Sequence, residues 1–318
     1  MLATLAVTAP IFIIIAIGFL AVRLDFYSKA DIGALSRFVI NFALPGLIIR
    51  ALSQGSLADI VNGTYLVAYT LGSMTVMIAG LVFARLVRGK TVTVSALYAL
   101  GMSASNSGFV GYPVVLQLLG PPAAVALALN MLIENILVIP LALMLLEGSS
   151  QGGSARVILR RVVVRLFKNP LILSILAGLL LAVFELPLPG PVDRVVDMFA
   201  LAAGSAALFV IGGSLVGLKV RGLIGDVLQI ATGKLILHPL AVLTALLLLP
   251  PFDPQLQLAA FVYACMPMMS MYPILGQRYG QEGLCAATLM ATTAASFVTL
   301  SLMLWLVDSA GLFAVPGQ

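Results

Sequence analysis

Ten long apolar stretches run along the 318-residue chain, and their length limits the folds that it can adopt. A helix needs about 20 apolar residues to cross a bilayer, whereas a membrane barrel uses alternating segments of about 10 residues. Charged residues make up 9% of the chain, against about 25% in soluble domains. The sequence therefore predicts an all-α polytopic protein in the lipid bilayer, with ten transmembrane helices near residues 9–22, 32–53, 62–87, 92–119, 122–147, 170–186, 192–218, 226–249, 255–280 and 283–307.

The lysines and arginines are concentrated in the odd-numbered loops between these predicted helices. These loops hold Arg23, Lys29, Arg85, Arg88, Lys90, Arg156, Arg160, Arg161, Arg165, Lys168, Lys219, Arg221 and Arg278. The even-numbered loops hold Arg194, with Arg50 near a helix end. Positively charged loops stay in the cytoplasm, so both chain termini are expected outside. The same placement accounts for the net charge of +5 without a nucleic-acid partner.

An internal repeat relates the two halves of the chain at a constant offset of 160 residues. The paired landmarks are Pro10 with Pro170, Gly18 with Gly178, Tyr112-Pro113 with Tyr272-Pro273, and Gly120 with Gly280. Pro10 and Pro170 are expected to open the first and sixth helices, which look short. Each half holds five helices, so the second half begins on the opposite side of the membrane and the repeat is inverted. We therefore divide the chain into a first repeat at 1–147, a cytoplasmic basic linker at 148–169 and a second repeat at 170–318.

The fourth and ninth predicted helices are interrupted at matching places, around residues 106–113 and 265–273. In lipid, such a break is tolerated only where protein or a water-filled cavity pairs the freed backbone groups. Helix N-termini attract anions, and free carbonyls at helix C-termini suit cations. Each break alone is equally consistent with a structural kink, but two matched breaks predict crossed helices and a substrate site. We place Asn106, Ser107, Gly108, Gly111, Pro113, Pro267, Ser270, Pro273 and the kink residue Asn41 in this site.

Ionisable residues inside predicted membrane helices are expensive and are candidates for function. Glu134 lies in the middle of the fifth helix, one turn from Asn130. Low dielectric disfavours its charged form, so it could exchange a proton, or it could be a structural, protonated carboxyl. Lys234 and His238 share a face of the eighth helix. Lys234 could neutralise Glu134, approach an anion, take the place of a coupling cation, or extend to the cytoplasmic edge. We predict these four residues as the ion-coupling group.

Several kinds of enzyme site are absent from the sequence. The chain has no phosphate-binding loop of the Gly-x-x-x-x-Gly-Lys-Ser/Thr type. Its single histidine cannot supply a histidine cluster for a metal. Cys265 and Cys285 both fall in predicted helices and are expected to be core residues. We therefore expect neither an enzyme nor a bound metal or cofactor.

The combined motifs resemble the auxin efflux carrier family over nearly the whole chain. They are Ala9-Pro10 with Gly18, Phe38 to Pro45, Asn106 to Pro113 with Gly120, Lys168 to Pro170, Lys234 to Pro239, and Pro267 to Gly280. The resemblance implies crossed broken helices, elevator-like movement of a transport part against a scaffold, and organic-anion substrates such as auxin, malate or malonate. It also implies the inner membrane of a bacterium. On this basis Asn106 contacts a substrate carboxylate, helped by the backbone of Gly108 and Gly111. The second break departs from the Asn-bearing pattern of some relatives, because it carries Ser270 and methionines.

Three functions remain open from the sequence. The first is a secondary transporter that exports a small organic anion by elevator-type alternating access, coupled to protons through Glu134. The second is a sodium-coupled organic-anion symporter of the bile-acid type, for which the breaks offer few oxygen ligands. The third is a membrane receptor that binds a ligand without moving it. The substrate, the coupling ion and the oligomeric state, for which a homodimer is one option, are not determined by the sequence.

Overall fold

The computed structural model describes residues 2–53, 62–151, 160, 164, 167–217 and 224–313. These residues are mainly helical, and within them no β-strand forms. The helices are α1 (Leu2–Arg23), α2 (Lys29–Ser53), α3 (Gly63–Val87), α4 (Val92–Ser103), α5 (Ser107–Leu119), α6 (Pro122–Gly148), α7 (Pro170–Val183), α8 (Gly190–Ser214), α9 (Ile224–Leu248), α10 (Pro254–Cys265), α11 (Tyr272–Arg278) and α12 (Glu282–Ser309).

The helices follow the predicted apolar stretches closely. Six in the described part of the chain are long and apolar enough to cross a membrane, namely α2, α3, α6, α8, α9 and α12. The fourth predicted helix is divided into α4 and α5, and the ninth into α10 and α11. The prediction that Pro10 opens the first helix is wrong, because α1 begins at Leu2 and contains Pro10, although its apolar part, Ala9–Arg23, is one of the shorter apolar helices. A proline inside a helix removes one backbone donor without ending the helix, and the residues before it are apolar enough to continue α1.

Parts of the predicted loops lie outside the described residues. Most of the predicted linker at 148–169 is among them, including Arg156, Arg161 and Arg165, and so are Lys219 and Arg221. The two ends of the linker are described, since α6 extends to its start and α7 begins at Pro170, after an N-cap bond in which the Leu171 N–H donates to the side chain of Asn169.

The helices pack in two groups. The four-helix group contains α1, α2, α7 and α8, with its most extensive contacts between α1 and α8, and between α2 and both α7 and α8. The eight-helix group contains α3 to α6 and α9 to α12. Glycines permit the closest approach inside the four-helix group. A Cβ added at Gly212 would lie 1.9 Å from the backbone oxygen of Ile15, and one added at Gly18 would lie 2.1 Å from that of Phe209. The backbones of α1 and α8 are therefore in direct contact.

Five helices in the described part of the chain contain a π turn, in which the helix widens by one residue. The turns lie at Val39–Ala43, Phe83–Val87, Ser107–Gly111, Glu134–Val138 and Gly233–Leu237. Single π turns inside α-helices are frequent at functional sites. Two of them carry the buried ionisable residues Glu134 and Lys234, and a third opens α5 directly after the first interruption.

The ends of the two interrupted helices resemble each other. Gly120 follows α5 with a φ of +68°, and Gly280 follows α11 with a φ of +69°. This left-handed backbone favours glycine, because a side chain there would contact the neighbouring carbonyl. Pro113 and Pro273 each lie in the first turn of the α-helical part that follows an interruption. The landmarks at these two interrupted helices, which recur in the sequence at an offset of 160 residues, therefore have similar local conformations, whereas Pro10 lies inside α1 and its counterpart Pro170 begins α7.

Candidate functional site

The two interruptions lie against each other. We call residues 104–106, between α4 and α5, the first break, and residues 266–271, between α10 and α11, the second break. Ser105 and Met268 form an antiparallel backbone bridge. The backbone N–H of Asn106 donates to the carbonyl of Pro267 at 2.8 Å, and the Asn106 side-chain Nδ2 donates to Ser270 Oγ at 2.8 Å. The backbone N–H and C=O groups that lose their helical partners at one break thus bond to groups of the other break. An interrupted helix inside a membrane requires such partners, because lipid supplies none.

Two glycines allow the interrupted helices to pack closely around this contact. A Cβ added at Gly111 would lie 2.7 Å from the ring of Tyr263 in α10. One added at Gly101 of α4 would lie 2.7 Å from the hydroxyl of Tyr272 in α11. The Tyr272 hydroxyl donates to the carbonyl of Leu97 at 2.8 Å. The first interrupted helix therefore packs against two tyrosines of the second, one from each of its parts, and the arrangement fixes the relative position of the two breaks.

Glu134 is buried and faces the first break. Its Oε1 accepts hydrogen bonds from the backbone N–H of Ser105 at 2.9 Å and from the Ser107 hydroxyl at 3.0 Å. Asn130, one turn earlier on α6, donates from Nδ2 to Ser107 Oγ at 3.1 Å and accepts from the Tyr65 hydroxyl at 3.1 Å. The carboxyl is therefore bonded to the loop that separates α4 from α5, and a change in its protonation would change those bonds.

Lys234 is fully buried and approaches the breaks from the other side. Its ammonium contacts Ser105 Oγ at 2.8 Å, the Ala264 carbonyl at 2.9 Å and His238 Nδ1 at 2.6 Å. An ammonium has three donors and no acceptor, so His238 accepts at Nδ1 and donates from Nε2 to Ser73 Oγ, 2.9 Å away. Ala264 lies in the last turn of α10, where carbonyls lack intrahelical partners. Lys234 supplies that partner, and it does not extend to the cytoplasmic edge.

Ser105 links the two buried charges. Its backbone N–H bonds to Glu134 and its hydroxyl bonds to Lys234, and the hydroxyl also lies 3.1 Å from that of Tyr69. Among the described residues, no ion pair within 4.0 Å joins Lys234 to Glu134 directly. Sequence reasoning missed Ser105, although a small polar residue inside a helix break and next to Asn106 was a usable signal.

The predicted site residues divide between this contact and other places. Ten of them lie at or beside the breaks, namely Asn106, Ser107, Gly108, Gly111, Pro267, Ser270, Glu134, Asn130, Lys234 and His238. Pro113 and Pro273 lie in the helices that follow. Asn41 lies exposed in the π turn of α2, and its Nδ2 donates to the Arg37 carbonyl of the same helix at 2.7 Å. The structure therefore gathers the breaks and the buried charges and places Asn41 in the four-helix group.

A cavity of about 460 Å³ lies between the four-helix group and α5. Its polar lining comes from Arg50 of α2, from Asp197 and Ser205 of α8, and from Tyr112 and Gln117 of α5. Arg50 forms an ion pair with Asp197. Pro113 is the predicted site residue that lines this cavity. Sequence reasoning missed the cavity, because its walls come from four helices that are distant in the chain.

Apolar membrane-length helices, two contacting backbone breaks and buried charges beside them are together typical of integral membrane transporters. Residues 4–305 match the family model described as "Membrane transport protein". The chain belongs to this family, the auxin efflux carriers, and is a membrane transporter rather than an enzyme.

Two bacterial relatives are similar to the chain. It is 30% identical over 309 residues to the "Putative malonate transporter" of Rhizobium meliloti (strain 1021), with 95% of each chain covered. It is 25% identical over 240 residues to the "Uncharacterized transporter YfdV" of Escherichia coli (strain K12), covering 74% of this chain and 75% of that one. The similarity therefore extends over most of the length of both relatives.

Proposed function

We propose that this protein is a secondary active transporter that moves a small organic anion across a bacterial inner membrane. The observation that carries the proposal is the contact between the breaks, in which Ser105 pairs with Met268 and Asn106 bonds to Pro267 and Ser270. Interrupted helices that meet inside a bundle form the substrate and ion sites of many secondary transporters, because their free backbone groups bind the cargo.

Ten membrane-crossing helices in two inverted repeats, 1–147 and 170–318, form the proposed architecture. Equivalent helix pairs make equivalent contacts. Gly18 of α1 packs on Phe209 of α8, and Gly178 of α7 packs on Leu52 of α2. The conformations at Gly120 and the equivalent glycine 160 residues later agree within a degree in φ. These matches support an inverted repeat in which α4–α5 and α10–α11 are the two crossed, broken helices.

Movement of one group of helices against the other is the proposed transport step. Both breaks, Glu134 and Lys234 belong to the eight-helix group, which contacts the four-helix group mainly through α5, α6 and α12. An elevator mechanism needs such a division, since the site must travel as a unit past a fixed scaffold. The cavity of about 460 Å³ lies on this boundary. We assign the four-helix group as the scaffold and the eight-helix group as the transport part, with both termini outside.

A small carboxylate is the proposed cargo. Two half-helices, α5 and α11, begin beside the breaks, and helix N-termini favour anions. Asn106 supplies a side-chain amide there, next to the small residues Gly108 and Ser270. The relative from Rhizobium meliloti carries malonate in its name, which supports a short carboxylate as the first compound to test.

Proton exchange at Glu134 is the proposed coupling step. The buried carboxyl accepts bonds from Ser105 and Ser107, so its ionised form holds the first break. A proton on Glu134 would remove acceptor capacity and weaken that hold. Lys234, which donates to Ser105 and to the neutral His238, keeps a positive charge close to the same backbone. Protonation would therefore alter the breaks at which the anion binds.

Transport measured in liposomes tests the proposal. Purified protein is reconstituted, and uptake of labelled malonate, malate and indole-3-acetate is followed under an imposed pH gradient and under sodium replaced by choline. We expect saturable flux of at least one carboxylate that depends on the pH gradient and not on sodium. Absence of saturable flux for the whole panel would refute the transport assignment. Flux that depends on sodium would mean that the coupling ion is sodium rather than a proton.

Variants test the residues within the same assay. Asn106→Ala should remove most of the flux. Asn135→Ala should retain it, because the Asn135 amide of α6 donates to the Met131 carbonyl and accepts from Asn169 at the start of α7, away from the breaks. Glu134→Gln keeps the shape of the carboxyl and should lose the dependence on pH. Wild-type flux in Asn106→Ala would contradict the assignment of the substrate site to the breaks. An unchanged pH dependence in Glu134→Gln would contradict the role of Glu134 in coupling.

A further inference from the structure

The cavity between the two helix groups has the size and lining of a small-molecule site. Its volume of about 460 Å³ falls within the range of about 300–1,000 Å³ that ligand pockets occupy. The walls are mainly apolar, with Tyr112, Gln117 and Ser205 as uncharged polar groups. Its charged lining residues, among those described, are Arg50 and Asp197. A small anion entering this space would therefore meet a single guanidinium.

Arg50 is paired, but it can exchange its partner. It lies in the last turn of α2, and its ion pair with Asp197 of α8 joins two helices of the scaffold. The two side chains are 39% and 33% exposed. Ion pairs between side chains this accessible add little to stability, although the Asp197 oxygen that faces Arg50, Oδ1, is itself buried. A free carboxylate can compete with Asp197 for Arg50, since the planar guanidinium can bind a carboxylate through two parallel hydrogen bonds.

The position of the cavity connects this cation to the breaks. Tyr112 and Pro113, which line it, follow the π turn that begins directly after Asn106. Gln117 lies farther along the same helix, toward its end at Leu119. The cavity therefore extends along α5 from the neighbourhood of the breaks toward the membrane face at which α2 ends. Under the proposed orientation this is the outer face.

We propose that this cavity is an antechamber in which the carboxylate of a small organic anion replaces Asp197 as the partner of Arg50. The inference rests on the proposed transport function and adds a second anion site to it, on the scaffold rather than on the moving part. Asp197 holds Arg50 in place when no anion is present and competes with the anion when one arrives. Once its carboxylate partner is exchanged, Arg50 adds affinity for the carboxylate in the cavity.

Two single substitutions separate this role from a purely structural ion pair. Arg50→Gln removes the cation that binds the anion, so it should weaken anion binding. Asp197→Asn removes the competitor and leaves Arg50 free, so it should strengthen anion binding. If the pair only joined α2 to α8, each substitution would delete the same contact and both would act in the same direction. The sign of the two effects therefore decides between the roles.

The experiment measures malonate uptake in proteoliposomes and malonate binding to purified protein by calorimetry. We expect the KM and Kd for malonate to rise at least tenfold in Arg50→Gln and to fall at least threefold in Asp197→Asn. The exposed cation Arg194, three residues before Asp197 on α8, provides the matched control. Arg194→Gln should leave both constants within twofold. If Arg50→Gln does not fold, Asp197→Asn alone tests the direction of the effect.

The outcomes also separate this inference from the proposed function. Equal shifts in the same direction for both variants, or shifts below twofold, overturn the antechamber while wild-type flux still supports transport. Malonate that wild-type protein neither binds nor moves overturns the antechamber as stated, and flux of malate or indole-3-acetate then decides the proposed function separately. Opposite shifts of the expected size, with an unchanged Arg194→Gln control, support the antechamber.

Discussion

Replacing Lys234 with methionine tests whether the buried charges are coupled through Ser105. Methionine has a similar length and volume, so the core remains filled. The substitution removes the three hydrogen bonds from the ammonium to Ser105, Ala264 and His238. It leaves the Ala264 carbonyl without its partner and leaves Glu134 without a nearby positive charge. We therefore expect a less stable protein.

The contacts of Lys234 set the size of the loss. A hydrogen bond to a charged group contributes about 1.5–3 kcal/mol. Two unit charges 4 Å apart attract by about 4 kcal/mol at an effective dielectric of about 20. Lys234 and Glu134 lie beyond the 4.0 Å ion-pair distance, so their attraction is smaller. Relief of the ammonium's desolvation offsets part of these terms. We expect the free energy of unfolding to fall by about 2–4 kcal/mol.

A double-mutant cycle with Glu134→Gln measures the coupling directly. Unfolding of the four proteins is followed by circular dichroism in detergent micelles during a denaturant titration. Both residues bond to Ser105. The loss of unfolding free energy in the double variant should therefore be smaller than the sum of the losses in the two single variants, by at least about 1 kcal/mol. Lys168→Met, at an exposed lysine, should change the free energy of unfolding by less than about 0.5 kcal/mol. Additivity of the two buried substitutions within about 0.5 kcal/mol would refute the coupling through Ser105.

Three further substitutions test other parts of the structure. Gly212→Ala should cost about 1–3 kcal/mol of unfolding free energy, since its Cβ would lie 1.9 Å from a backbone oxygen of α1. Gly63→Ala is the control, because a Cβ there meets open space. Equal losses of stability for the two variants in thermal unfolding would contradict the prediction. Ser270→Ala removes the bond that orients the Asn106 amide, so the KM for the transported anion should rise about fivefold, and a fall would contradict it. Asp226→Asn weakens the ion pair with Lys90 of the α3–α4 loop and should lower the unfolding free energy by about 1–2 kcal/mol. A denaturant titration in which the unfolding free energy is unchanged would refute this.

The helices and their interruptions were predictable because each depends on nearby residues. An apolar stretch long enough to cross a bilayer must form a helix, since no water is present to bond to its backbone. Glycine and proline interrupt such a helix wherever they cluster, as around Gly108 and Pro267. Glu134 and Lys234 were recognisable for a similar reason, because an ionisable residue inside an apolar stretch is costly. The partners of these residues were not recognisable in the same way.

Partners depend on which helices become neighbours. The sequence offered several roles for Lys234, and the structure gives it the hydroxyl of Ser105 and a carbonyl of α10. Nothing near Asp197 in the sequence indicated Arg50 as its partner, and the two side chains pair from different helices. Hydrogen bonds and ion pairs extend over only a few ångströms, so a partner is set by which helices pack together and can lie far away in the chain, as for Lys234 and Ser105, 129 positions apart.

The sequence by itself therefore determined the membrane-embedded helices, the positions of the two breaks and the buried ionisable residues, because hydropathy and backbone chemistry act locally. Only the tertiary structure decided that Ser105 lies between Glu134 and Lys234, that the breaks pair with each other, and that a cavity with Arg50 lies beside α5. Packing brings these groups together, since side chains from distant helices must fill one interior and satisfy one another's polar atoms.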